Sequence, residues 1–505
     1  MIDKVPSGTA IEFRGGKTMS AVPIVFFIAW AIFQSGLLGI SDTGGLIAGM
    51  LIGLILGMLF ARGSWKGYAD TIFEGMAQPV AVTAIVAWLW AGMFAATLQA
   101  GAFVDGLGWL ADAAGIGPLL FPAVTFLLAA LLATGIGTGY GTVIAFVALF
   151  FPAGVALGAD PVLMFGAILS GAVFGDNLAP VSDTTIVSAV TQDADVGGVV
   201  GSRFKYAIIA ATLSLAAYLV AAAVVGGAEI APEAAASFLE QTNAAGLLHL
   251  VSTAIVIFTA IAGRHIIEAI SWGLIAAIII NLVFGLAEAS DMLVFRVAEG
   301  GWSAATFGSW PLVEPVAAAQ AGVGGSIYSG ALGFVELAVL ILLVIAGAHI
   351  MMRGGAFAAL ENWLLTRVAK SVRSAELVMV TVTASINAAI TINTAAQIAV
   401  APYIATIGKR FNINGYRRAN ILDANTSALG YIFPWAGGVL VGYTQMTALV
   451  ENYDWFTPDM VVAPVQAWPW VFHGWLLVAV FLFSAWTGFG REYTIDRLSD
   501  RSSAT

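Results

Sequence analysis

The chain has 505 residues, of which 60% are hydrophobic and only 10% charged, with a formal net charge of -10. A mean hydropathy of +0.92 excludes a soluble globular domain of this length and marks an integral membrane protein. No cysteine is present, which excludes disulfides and thiolate metal sites, and no nucleic-acid partner is expected for so acidic and apolar a chain.

Residues 1–19 are polar and pass directly into "AVPIVFFIAWAIFQSGLLGI" (21–40), long enough to cross the roughly 30 Å hydrocarbon layer as a helix. That order lacks the pattern of a cleavable signal peptide, so the first helix is expected to stay. Comparable runs recur to the C-terminus and are too long for the alternating strands of a barrel, so the spans are helical. Single crossings are expected at 21–40, 44–62 and 79–99, then a segment at 118–157, then crossings near 161–190 and 204–226. The second half offers 246–262, 266–286 and 326–349, then a segment at 377–403, then 418–445 and 468–489.

The connections sort by charge. Basic residues occupy the N-terminal tail, "ARGSWKG" (61–67), "GSRFK" (201–205), "GRH" (263–265), the stretch with Arg353, Arg367, Lys370 and Arg373, "GKRFNINGYRR" (408–418) and the C-terminal tail. Acidic residues gather at 229–241, 287–325 and 451–459. The positive-inside rule places the basic connections and both termini in the cytoplasm of a plasma-membrane protein. The segments 118–157 and 377–403 must then each return to the side they came from. Each half reads as three spans, a re-entrant hairpin and two more spans, and five crossings is an odd number, so the halves have opposite orientation. The expected fold is an all-α polytopic membrane protein built as an inverted-topology repeat, with about ten full crossings, two re-entrant hairpins and a broken helix after each hairpin. Its parts are a cytoplasmic tail (1–19), a first repeat (20–226), an external linker (227–245), a second repeat (246–489) and a cytoplasmic tail (490–505).

Polar residues concentrate in matching segments of both halves. The hairpins carry "ATGIGTGYGT" (133–142) and "TASINAAITINTAAQ" (383–397). The crossings that follow carry "GDNLAPVSDTT" (175–185) and "LDANTSALGYIFPWAGG" (422–438). Pro180 and Pro434 each remove an amide donor, and the glycines free the backbone, so the helices should break there and turn unpaired carbonyls toward a midplane cavity. Hard monovalent cations want the carboxylate, amide, hydroxyl and carbonyl oxygens found there. A carboxylate at bilayer depth costs about 2.5 to 3.5 kcal/mol and tends toward protonation. Competition between H+ and Na+ at one such group is a minimal mechanism for exchange.

"GAVFGDNLAPVSDTT", preceded by "TGIGTGYGT" and followed in the second half by an Asp, a Thr/Ser cluster and "PWAGG", resembles the NhaC family of Na+/H+ antiporters within the ion transporter superfamily of inverted repeats. The family's pattern is met at Gly175, Asp176, Pro180, Ser182, Asp183, Thr184 and Thr185, and again at Asp423, Thr426, Pro434 and Trp435. The resemblance covers about 20 to 445. It implies a secondary antiporter exchanging cytoplasmic Na+ for external H+ by alternating access. Departures at Asn177 and in "SALGYIFPW" leave substrate choice open, and relatives that exchange malate and lactate keep a coupled organic acid as the alternative cargo. No cofactor and no enzymatic activity are expected. The partners are the bilayer, Na+ and H+, with an organic acid and a homodimer left open.

Asp183, flanked by Ser182, Thr184 and Thr185, is the foremost ion- or proton-binding candidate, with Asp176, Asn177 and Asp423 beside it. Asp183, Asp423 and Thr184 are the expected Na+ ligands. Asn425, Thr426, Thr138, Asn387, Asn393 and Thr394 complete the polar set, and Glu336, near the centre of a single span, is a candidate proton carrier. Each has a plain alternative. Asp176 and Asp183 could cap half-helices, Asp423 could cap a helix near the cytoplasmic surface, and the Asn and Thr residues could bond neighbouring helices. A channel would not need paired broken segments in two halves. An intramembrane enzyme would need a catalytic set that the four histidines, remote from the polar cluster, do not form.

Overall fold

The computed structural model describes residues 11–180, 182–228, 240, 242–262 and 264–494. The acidic linker at 229–241 and the outermost tails, named above by their charge, fall almost wholly outside them. Among the described residues, nine helices are long and apolar enough to cross a membrane; they include Gly139–Ala156, in a segment expected to return to its own side, and leave out the expected crossings 246–262 and 418–445.

The first two form a close pair. Helix α1 (Val22–Ala31) runs on through a wider turn at Ile32–Leu37. The chain then reverses at Asp42, whose carboxylate accepts from the Gly44 and Gly45 amides at 3.1 and 2.8 Å to start α2 (Thr43–Phe60). Gly49, Gly53 and Gly57 recur every four residues along α2. A methyl group at any of them would fall within 2.7 Å of Trp30, the Pro23 carbonyl or Tyr68, so α1 can lie against α2 only because these positions have no side chain.

The remaining elements come in the same order twice. The first half has α3 (Trp65–Met76), α4 (Pro79–Ala100), α5 (Phe103–Ala113), the hairpin α6 (Phe121–Ile136) and α7 (Gly139–Ala156), the broken pair α8 (Pro161–Leu178) and α9 (Asp183–Thr191), and α10 (Val196–Val225). After α11 (His249–Ile261), α12 (Ile266–Phe284) and α13 (Ser326–Leu332), the second half has α14 (Val335–Arg353), α15 (Ala356–Arg367), the hairpin α16 (Val372–Ile390) and α17 (Asn393–Arg410), the broken pair α18 (Gly415–Leu429) and α19 (Gly437–Asn452), and α20 (Phe472–Thr487). The likeness reaches the backbone. The first hairpin turns through Gly137 (φ 73°, ψ 20°) into extended Thr138, and the second through Thr391 (φ 63°, ψ 3°) into extended Ile392. Packing between the halves is reciprocal: α7 lies against α19, α9 against α17, and α10 and α20 against each other.

Several expectations need correction. The connections at 61–67, 101–115 and 353–373 contain helices α3, α5 and α15, where loops were expected. The acidic connection 287–325 holds a small three-stranded sheet, Val294–Ala298 between parallel Val313–Val316 and antiparallel Gly322–Gly324, in an otherwise helical chain. "GSRFK" is not a loop: α10 begins at Val196 and carries Arg203 fully buried. Arg417 and Arg418, read as part of a basic connection, are likewise buried inside α18.

Candidate ion-binding site

Four non-helical points converge: the two hairpin tips and the breaks at 179–182 and 430–436. Tyr140, two residues past the first tip, donates its hydroxyl to the Thr391 carbonyl at the second tip (3.4 Å), and Trp435 donates to the Ala388 carbonyl (2.9 Å). Thr391 is a β-branched residue held in the left-handed region, a strained conformation of the kind that collects at working sites.

Asp176 sits two residues before the end of α8 and is buried. Its Oδ1 accepts from the Ser182 hydroxyl at 3.0 Å. Its Oδ2 accepts from the Asn393 amide at 2.9 Å and the Tyr431 hydroxyl at 3.1 Å, both from the other half. Thr184 hydrogen-bonds Ser182 (2.9 Å) and reaches the Asp176 carbonyl (3.5 Å). All of these side chains are neutral. Hydroxyls donate to a bare carboxylate and can rotate to offer lone pairs once a cation or proton arrives.

Asp423 lies mid-helix in α18, buried completely, and so is no cap. Its Oδ1 accepts from Gln397 (2.9 Å) and Ser427 (2.9 Å), and its Oδ2 from Ser188 (3.4 Å). Its charge is matched by the Arg203 guanidinium in a fully buried ion pair. Arg203 also donates to the Asn177 main-chain carbonyl, to Thr185 (3.4 Å) and to Asn420 (3.1 Å). That carbonyl belongs to the last turn of α8. The polar face of α17 ties the two carboxylates together, since Asn393 and Gln397, four residues apart, hold one each.

The rest of the expected set divides. Asn387 donates to the Thr426 carbonyl, Asn425 to the Ile421 carbonyl (2.7 Å), and Thr426 accepts from Gln397 (3.0 Å). Thr394 is buried beside them on α17. The side-chain carbonyl oxygens of Asn177, Asn387, Asn393, Gln397 and Asn425 are buried without a partner, a surplus of acceptors that fits a cation. Thr138 is an N-cap, its hydroxyl accepting from the Gly141 amide (3.4 Å). Asp183 is the first residue of α9, and its side chain lies outside the described residues. Glu336 lies in the first turn of α14, exposed, within the apolar helical stretch Ser326–Arg353 that is long enough to cross a membrane. Among the described residues no three of His, Asp and Glu gather to hold a metal.

Sequence reasoning passed over Arg203, Gln397, Ser188, Ser427, Tyr431 and Tyr140. Only Gln397 carried a signal, its spacing of four from Asn393.

The sequence profile of the Na+/H+ antiporter family matches residues 9–200 and again 191–475. The chain belongs to the Na+/H+ antiporter family. Among curated relatives of this family member, the arginine/ornithine antiporter ArcD of Halobacterium salinarum is 27% identical over 41% of this chain and 42% of its own. The malate-2H(+)/Na(+)-lactate antiporter of Bacillus subtilis is 30% identical over 36% and 37%, and the Na(+)/H(+) antiporter NhaC of Alkalihalophilus pseudofirmus 27% over 28% and 29%. The chain thus spans about two fifths or less of each of these relatives.

Proposed function

We propose that the protein is a secondary antiporter of the plasma membrane that exchanges cytoplasmic Na+ for external H+ at Asp176, working by alternating access between two inverted repeats, with both termini in the cytoplasm. The observation that carries this reading is the shell of Asp176, a buried carboxylate that accepts from the Ser182 hydroxyl of its own half and from the Asn393 amide and Tyr431 hydroxyl of the other. Na+ and a proton compete for the oxygens of one buried carboxylate, so the two ions exclude each other there.

Alternating access is supported by the repeated element order, the matching hairpin tips and the reciprocal packing of the halves. Because Asp176 takes ligands from both, relative movement of the halves would open its shell to one side at a time. The expectation that Asp183 leads the site gives way here to Asp176, toward which Ser182 and Thr184 turn.

The test is proton movement in inside-out vesicles loaded with a pH-sensitive dye. The reading expects Na+ alone to dissipate an imposed proton gradient. Silence with Na+, followed by a response to malate, lactate, arginine or ornithine, would instead identify an organic-solute exchanger on the same fold.

A further inference from the structure

We infer that the protein seats one hydrocarbon tail of a bilayer lipid in a side cavity between its first hairpin and the helices α4, α5, α11 and α12. The inference stands apart from the Na+/H+ reading, because no residue of the ion cluster enters it.

The cavity measures about 230 Å³. One wall is the hairpin helix α7, through Ala145 and Leu149, and the facing wall is Ala91 of α4, Phe103 of α5, Val256 of α11 and Ile270 of α12. All six are buried. Among the described residues that line it none is charged, and the one side chain with a polar group, Thr253, already donates its hydroxyl to the His249 carbonyl at 3.1 Å. Such walls offer water no partner. A dry cavity of about 150 Å³ lined by the same residue types takes benzene, and in proportion this one has room for roughly nine carbons of a chain.

The opening decides which apolar ligand arrives. Leu128 and Leu131 of α6 and Leu250 of α11 line the cavity and are exposed, and their neighbours Leu127 and Val251 carry the same apolar surface outward. Both helices are apolar along their length and belong to a membrane-embedded chain, so the medium at this mouth is lipid hydrocarbon. A tail that enters gains the dispersion contacts that walls facing a void forfeit, and it brings no polar group that would have to be buried. Gly141, in the first turn of α7 just past the hairpin tip, also lines the space, so a seated tail lies between the hairpin and the helices on which it packs.

The experiment places the full-length protein in vesicles containing a phosphatidylcholine with a photoactivated diazirine near the end of one tail, irradiates it, and maps labelled residues by peptide mass spectrometry. Wild type is expected to carry label on the buried residues Ala145, Leu149 and Ile270 as well as on exposed Leu131 and Val251. Ala145→Phe, which fills the space, should lose the buried label and keep the exposed label. If Ala145→Phe does not fold, Ala91→Leu narrows the opposite wall and takes its place, and the wild-type map decides in either case. Label confined to exposed residues in wild type, or buried label that persists undiminished in a folded, cavity-filling variant, would overturn the inference.

Discussion

Asp176 and Asp423 lie on corresponding broken helices, are both buried, and are both gripped by α17, yet Asp423 pairs directly with the Arg203 guanidinium, while Asp176 accepts from Ser182, Asn393 and Tyr431. A buried pair matched in charge is costly to break and slow to accept another ion. A buried carboxylate with neutral, reorientable donors can take a proton or a cation and lose it again. On the proposed reading, sequence motif places both carboxylates, and the direct guanidinium pair marks Asp423 as the one that braces.

The sharpest way to break this comparison is Asp176→Asn. It should abolish Na+-driven proton exchange, a loss of at least about a hundredfold, while the protein reaches the membrane at wild-type level by immunoblot. Next comes Arg203→Ala, which leaves Asp423 buried and unpaired and should destabilise the fold by about 3–5 kcal/mol, read as a lower melting temperature in detergent. A smaller effect is expected from Gly430→Ala. The added methyl would fall 1.9 Å from the Asn393 side-chain oxygen and push that amide off Asp176, raising the Na+ concentration for half-maximal exchange about tenfold. Alanine at Gly67, where nothing lies within 4 Å, should change nothing in the same assay.

Two weaker effects lie outside the membrane-spanning helices. Burial pushes the Asp105 carboxyl of α5 up from 3.8 to about 6. Its proton is therefore bound more tightly in the folded state, and stability falls as pH rises from about 4 to about 6. Because Asp105 is only partly buried, that loss should stay near 1–2 kcal/mol, and melting curves of Asp105→Asn should lack it. Asp193, whose carboxyl the Lys409 hydrogen bond holds below its usual range, joins the halves through an exposed pair at 2.8 Å. Its contribution is present at neutral pH and lost as pH falls through that lowered value. Asp193→Asn should cost at most about 1 kcal/mol, and less at high salt.

Much of this architecture was legible from residues alone. Every expected crossing corresponds to a helix or a broken helix, because a bilayer demands about 20 apolar residues in a row and leaves little room for ambiguity. The helix breaks after α6, α8, α16 and α18 fall in the polar runs, three of which bear glycine or proline. Charge was harder to read. Counting Arg203 as a basic loop residue follows the positive-inside rule, but a long α10 and a carboxylate 220 positions away turn it into a core residue, and nothing in "GSRFK" announces Asp423. The emphasis on Asp183 arose from its flanking hydroxyls, of which Ser182 and Thr184 reach Asp176; the Asp183 side chain itself lies outside the described residues. The small outer sheet was hidden by the acidic composition of its loop, since strands as short as Gly322–Gly324 leave almost no periodic trace.

The most direct test of the contrast between the carboxylates is Na+-driven proton exchange in inside-out vesicles carrying either Asp176→Asn or the double variant Arg203→Gln/Asp423→Asn. The account predicts that exchange is lost with Asp176→Asn and still measurable in the double variant, whose neutral pair spares the other carboxylate. Exchange that survives Asp176→Asn but vanishes in the double variant would contradict it and make Asp423 the working group.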